Sequence, residues 1–337
     1  MAQGAHAFKG WLGIGFAGIT DLRQTIPART TFARFEDIEV SEKHNEDIDP
    51  FSGRSDPESV ALGDYDLRVK ATLEGTTEGP IVPLIRSLMG GASTDGTTGT
   101  TGKTHALQIA DTVPNNARLG CEVRYGTDAE SENFNAICNA IEFQITQQGY
   151  ARWVADLIGS SPAYNGSPTS PTLPATTTLL SKRQTTFSLD TDTTHVVRGL
   201  SWKLERKVDE NDYDVTSRQR RDASYGEFIA TFDAEVTFQT AVELRRFWNA
   251  ATATAPVDGP EAYFPVNIQT QRVDVIPGGT AKHGIVIDMP KAFLTKVGTP
   301  MKAGDVIRQR IQGRAIYSPS GSTYSAQVTM TNSVASY

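Results

Sequence analysis

Residues 227–238 read Glu227-Phe-Ile-Ala-Thr-Phe-Asp-Ala-Glu-Val-Thr-Phe238. Phe228, Ala230, Phe232, Ala234, Val236 and Phe238 alternate with Glu227, Thr231, Asp233, Glu235 and Thr237, a period of two that describes a long strand with one dry and one wet face. The same alternation recurs in Leu67, Val69, Ala71 and Leu73 against Arg68, Lys70, Thr72 and Glu74. Trp202, Leu204 and Val208 likewise share a face opposite Lys203, Glu205 and Lys207. Further strands are expected over 34–40, 105–110, 119–125, 136–147, 150–158, 262–273, 284–289 and 305–317, and the stretch Tyr324–Thr331 reads as one more. Helices are few. Residues 80–89 place Ile81, Leu84, Ile85 and Leu88 on one stripe between a first-turn Pro80 and a Gly90-Gly91 stop, and 240–250 repeats the design with Ala241, Leu244, Phe247 and Trp248.

The order of elements recurs about 160 residues apart. Strand 34–40, a polar loop, strand 64–75 and helix 80–89 are followed by strand 198–208, a polar loop, strand 226–238 and helix 240–250, which sets Tyr65 against Tyr225 and Leu84 against Leu244. Between the halves, Gly159–Pro174 carries four prolines among small polar residues, the composition of an extended linker. The expected fold is therefore mainly β (α+β), with two tandem β-sandwich or barrel domains, each flanked by one helix. The divisions are an N-terminal segment 1–30, a first domain 31–160, a Pro/Ser/Thr-rich linker 161–182 and a second domain 183–337. Long exposed edges in such units either carry protective charge or pair with another subunit.

The 337 residues hold 32 Lys+Arg against 39 Asp+Glu, a net charge of -7 that argues against a general nucleic-acid or anionic-membrane binder. No run approaches the roughly 18 apolar residues of a membrane helix. Trp11–Ile19 is broken by three glycines and lacks a following cleavage site, so a soluble protein made in the cytoplasm is expected. Cys121 and Cys138 are too widely spaced for a redox or zinc motif and read as free thiols.

Thr94–Thr104 ends in Gly-Lys-Thr, but Gly96 stands one residue too early for a phosphate loop, and the stretch reads as a flexible Thr/Gly loop. Asp47, Asp49 and Glu58 sit at offsets 1, 3 and 12 of a calcium loop, yet Phe51 occupies position 5 and the glycine is at 53. That leaves a solvated acidic loop, 41–58, with Glu42, Glu46, Asp47, Asp49, Asp56 and Glu58. Its counterpart runs through Asp209, Asp212 and Asp214 to Arg218, Arg220 and Arg221. Both loops are candidate assembly contacts, because complementary charge across an interface sets register and partner choice. His6, His44, His105, His195 and His283 are scattered, no nucleophile elbow occurs, and no catalytic residue, cofactor site or metal site is named. Trp153, Trp202 and Trp248 read as core anchors.

Taken in order, these segments resemble the tail tube proteins (major tail proteins) of long-tailed bacteriophages, in the form with two tube domains in one chain. The resemblance runs from Lys9-Gly-Trp-Leu-Gly-Ile-Gly-Phe16 and Thr30-Thr-Phe-Ala-Arg-Phe-Glu-Asp-Ile38 through the loop at 41–60. It continues in Asp66–Gly75, in Pro80–Gly91, and in the repeat at Glu227–Phe238 and Val242–Trp248. It implies a structural protein whose sheets join side by side, forming trimeric, pseudo-sixfold rings that stack into the hollow conduit for DNA ejection. Implied partners are copies of itself, the tape measure protein, tail terminator and distal tail proteins, and double-stranded DNA that passes without specific binding. Glu227, Asp233 and Glu235 are candidates to line an acidic lumen, and the linker and N-terminal segment are candidates to reach neighbouring subunits. The same patterning also fits a paired β-sandwich adhesin or carbohydrate-binding protein, or another tail component such as a terminator or baseplate hub protein.

Overall fold

The computed structural model describes residues 10–16, 21–48, 60–90, 93–109, 118–126, 130–146, 149–175, 179–181, 184–190, 195–213, 216–238, 241–250, 252–256, 262–299, 307–318, 324–335 and 337. The protein is mainly β, with its strands joined antiparallel in one continuous sheet. In the first half, β1 (Trp11–Phe16), β2 (Thr31–Ile48), β3 (Val60–Glu74), β6 (Leu119–Arg124), β7 (Ser131–Ile145) and β8 (Arg152–Asn165) form a barrel. The ladders run β1–β2–β3–β8–β7–β6 and back to β1, so every stave has two neighbours. Helix α1 (Ile81–Met89) buries its whole length except Arg86 against this unit, and Gly90 ends it at φ 71°, a left-handed turn that glycine adopts without strain.

The Trp11–Phe16 run, assigned above to a separate N-terminal segment, is a stave of this barrel. Its residues are buried on both faces up to Phe16, so it lacks the alternation that marks a half-wet strand. Its glycines have a packing reason: a Cβ on Gly15 would lie 1.9 Å from the Ala28 carbonyl oxygen.

The second half repeats the strand order. Strands β9 (Thr185–Leu189), β12 (Phe264–Val275), β13 (Lys282–Gly298), β14 (Arg308–Ala315), β11 (Asp222–Thr237) and β10 (Val197–Asp212) pair in that sequence. They correspond to β1, β6, β7, β8, β3 and β2. One step is missing, because β9 lies beside β10 without a ladder between them among the described residues. The equivalence extends to irregularities. Register shifts at Phe35/Asp37 and His44/Glu46 in β2 recur at Val197/Gly199 and Arg206/Val208 in β10, each 162 residues later. The shift at Cys138/Ala140 in β7 recurs 156 residues later at Leu294/Lys296 in β13. Bulges bend a strand at a chosen point, so their coincidence fixes the residue correspondence more firmly than side-chain likeness. It sets Tyr65 against Phe228 rather than Tyr225.

Three other expectations change. The Thr/Gly stretch 94–104 is mostly a hairpin of β4 (Thr94–Thr98) and β5 (Gly102–Gln108), not a loop. It is held because β5 pairs with β15 (Gln327–Asn332), which lies on β13, so a hairpin from the first half extends the sheet of the second. Helix α2 (Val242–Phe247) is only six residues long and turns Glu243 and Arg246 inward, while Phe247 is exposed and Trp248 half-buried. An ion pair decides that orientation: Arg246 lies 2.7 Å from Glu243 and 3.3 Å from Asp190.

The proline-rich stretch, finally, begins inside β8, which runs to Asn165, and then straps back onto the first barrel. Glu122, with no solvent exposure, accepts hydrogen bonds from the Thr169 amide and hydroxyl, Ser131 and Arg29 at 2.7–3.0 Å. Leu180 is buried and bonded to Gly75 and Ala151.

Candidate assembly surfaces

The feature that most constrains function is the seam between the halves. Residues 200–205 of β10 pair antiparallel with 140–145 of β7, so the wall of the first barrel runs into the second without a break. Trp202 on β10 meets Phe143 on β7 and Trp153 on β8, with ring centroids 5.6 and 5.4 Å away, and the apolar cores of both halves merge through this cluster. Such aromatic groups contribute contact energy beyond the area they bury. Lys203 stands directly opposite Glu142 across the seam.

Beside the seam, Arg206 lies buried with its guanidinium 3.3 and 3.4 Å from the Met89 and Leu88 carbonyl oxygens at the end of α1. It also stacks on Tyr225, whose hydroxyl donates to the Ser87 carbonyl at 2.9 Å. The last turn of a helix offers unpaired carbonyls and partial negative charge, which a cation satisfies. Burial lowers the Arg206 pKa without removing its charge.

The wet faces of these strands form one polar surface that crosses the seam. Asp37, Glu39, Lys70, Thr72, Asp156 and Glu142 border one shallow depression. Ser201, Asp233, Glu235 and Arg310 border the next. The acidic lumen candidates Glu227, Asp233 and Glu235 do not stand alone on β11, because each has an arginine partner on β14. Arg308 pairs with Glu235 at 2.9 Å, Arg314 with Glu227, and Arg310 with Asp233 through two nitrogens. Burial alone would raise the Asp233 pKa, but bonds from Arg310 and Gln312 outweigh it and hold the carboxyl below its usual range.

The two charged hairpins differ. Glu42, Glu46 and Asp47 lie on β2, which stays paired with β3 out to Ile48, so the hairpin is longer than the 34–40 strand expected. Asp49, Asp56 and Glu58 lie outside the described residues, as does Asp214. In the second hairpin Arg220 is not available to a partner. It is buried, 2.7 Å from Asp66, and bonds the Gly159 carbonyl and Tyr213 hydroxyl. Asp212 pairs with Arg221 at 3.1 Å, the Arg218 carbonyl accepts from the Tyr65 amide, and Asp209 and Arg218 are exposed. This hairpin thus spends much of its charge fastening the halves together, aided by Arg118 on Asp222.

A buried carboxyl in the first barrel escaped the sequence reading. Glu132 is 3% exposed, accepts from the Tyr125 hydroxyl at 2.9 Å, and its Oε1 has no hydrogen-bond partner among the described residues. Burial pushes its pKa up to about 7, the Tyr125 bond opposes the rise, and the neighbouring Glu42 carboxyl adds to it. Among the histidines, His105 bonds Asp95, Asn332 and the Val334 carbonyl, and His283 bonds Thr77. Each joins segments far apart in sequence.

No protein-family model matches the chain, and no curated protein is significantly similar to it.

Proposed function

We propose that this chain is a structural virion protein, a tail tube protein of a long-tailed bacteriophage, whose copies form stacked rings around a DNA conduit. The observation that carries the reading is the edge-to-edge fusion of two barrels of one strand order, which makes a continuous sheet with a single polar face. A unit that already joins its halves by strand pairing extends to more units by the same means. Trimeric rings would carry six such barrels. Burial of Trp11, Trp153 and Trp202 favours this reading over a carbohydrate-binding pair, which would present indole rings to solvent.

The mixed charge of the polar face fits a conduit. Phosphate affinity comes from cations that exchange counterions for DNA, and an arginine held by a carboxylate has little charge left to offer. Arg308, Arg310 and Arg314 are so held. A duplex would then slide past polar side chains without sticking. Other partners of the proposed tube are the tape measure protein in the lumen and terminator and distal tail proteins at its ends, with the assembled protein located in the virion.

The test is negative-stain electron microscopy over a concentration series, with light-scattering mass on the same samples. Rings or hollow tubes built from units of about 110 kDa, three copies of a 36.5 kDa chain, are the expected result. A monomer at every concentration, with or without tape measure protein, overturns the proposal.

A further inference from the structure

The seam has two counterparts that are open. By the bulge correspondence, residues 200–205 of β10 match 38–43 of β2, and 140–142 of β7 match 296–298 of β13. Among the described residues, β2 beyond Arg34 is paired only with β3, and β13 beyond Ala292 only with β14. Each chain therefore ends in the two halves of the junction it has already made once internally. Among the described residues both edges are bare along the side that β7 and β10 use to join.

We propose that a second copy of this chain docks its β2, along Ile38–Lys43, against the Lys296–Gly298 end of β13, in the register that β10 uses on β7. The proposal rests on the assembly reading above and names its contact. Transfer of the register sets Ser41 opposite Gly298, as Lys203 is opposite Glu142, and Lys43 opposite Lys296, as Glu205 is opposite Ala140.

A second observation points to the same place. The last turn of α1 is sealed by Arg206 and Tyr225 from the other half, whereas α2 carries Phe247 at 41% exposure and a half-buried Trp248 at its C-terminal end. By the same correspondence the incoming β2 would bring His44, the counterpart of Arg206, toward that apolar end. The contact is head-to-tail, each chain offering one β2 edge and one β13 edge, so it propagates from chain to chain and gives a ring where the rotation closes.

The test is disulfide trapping in the full chain. Ser41→Cys with Gly298→Cys places thiols on directly opposed positions, and a Cβ at Gly298 meets nothing within 4 Å. Native Cys121 and Cys138 are buried and do not compete. Glu142→Cys with Lys203→Cys is the internal control, which closes within one chain. Mild oxidation should give a reducible ladder ending at the ring mass for S41C/G298C, and no ladder for either single variant. Rings seen by microscopy without a ladder, while the control closes, overturn this register but leave the tube reading intact. Absence of any assembly overturns both.

The register also makes a charge prediction. Lys43 facing Lys296 is a like-charge pair, so Lys43→Glu should lower the concentration at which rings form several-fold, and K43E/K296E should restore it. No change in K43E overturns the proposed pairing even where a ladder forms by slow trapping.

Discussion

The first barrel closes every ladder and buries the apolar stripe of α1. The second leaves β9 short of β10 and turns Phe247 of α2 toward solvent. Strand order and bulges agree between the two, so the difference lies in what covers them. The first is covered by the second, through the β7–β10 seam, Arg206 and the buried hairpin around Arg220. Among the described residues the β2 and β13 edges of that kind have no corresponding neighbour within the chain. A duplicated unit teaches by this asymmetry, because the finished copy specifies what the unfinished one lacks.

The most forceful way to break the comparison is to empty the seam. Trp202→Ala removes a fully buried indole from between Phe143 and Trp153, and a cavity of that kind costs about 3–5 kcal/mol. Denaturant unfolding should show the loss, and the transition should split if the halves retain separate stability once uncoupled. A loss below about 1 kcal/mol would mean that the seam is not where the halves are welded.

Next in size is Glu122→Gln, which tests whether the proline-rich strap belongs to the first barrel. Burial would raise the Glu122 pKa, but bonds from Thr169 and Ser131 and the charge of Arg29 outweigh it and lower it. A lowered folded pKa gives stability that is present above the ordinary carboxylate range and lost as pH falls. The variant should therefore be less stable by about 3 kcal/mol at pH 7, since Arg29 is left without its buried partner, and the gap should narrow toward pH 3. Limited proteolysis near Thr169 would quicken in parallel.

Glu132→Gln runs the opposite way. A carboxyl raised to about 7 contributes stability in full below the unfolded value near 4.5 and loses it as pH rises through about 7. The variant, which cannot ionise, should match the native chain at pH 4 and exceed it by about 2 kcal/mol at pH 8. Equal pH profiles for the two proteins would remove Glu132 as the titrating group.

How much of this was legible in the sequence follows from which physical signal each element carries. Strands β3, β10 and β11 have one wet face and announce themselves by alternation. Strand β1 is dry on both sides and β4 wet on both, so neither alternates. The far half of β2 is built of charged residues whose pairing depends on β3 rather than on their own hydrophobicity. The stripe of Leu244, Phe247 and Trp248 marks α2 but points the wrong face inward, because it hides the stronger demand of Arg246 for Glu243 and Asp190. The seam was not legible at all. Which strand of one half meets which strand of the other depends on edges left open after each half has folded, and no local pattern records it. Arg220 illustrates the same limit: a solvated arginine and one buried on Asp66 read alike in sequence.

The smallest expected effect on stability carries the sharpest functional contrast between the two regions. On β11 and β14 the ion pairs are at the surface, where solvent screens them and each contributes little, so E227Q/D233N/E235Q should unfold close to the native chain. Its charge, however, changes on the face that would meet a duplex in the proposed tube. Three arginines that were held by carboxylates become free to neutralise phosphates, and each phosphate contact steepens the salt dependence of binding by about one logarithmic unit. The variant should retain duplex DNA at low salt and release it as salt rises, whereas the native chain should retain none under either condition. If these pairs existed only to hold β11 on β14, the triple variant would lose stability and gain no DNA. Gain of DNA at unchanged stability would mean that the carboxylates keep the arginines from binding phosphate, as the proposed conduit requires.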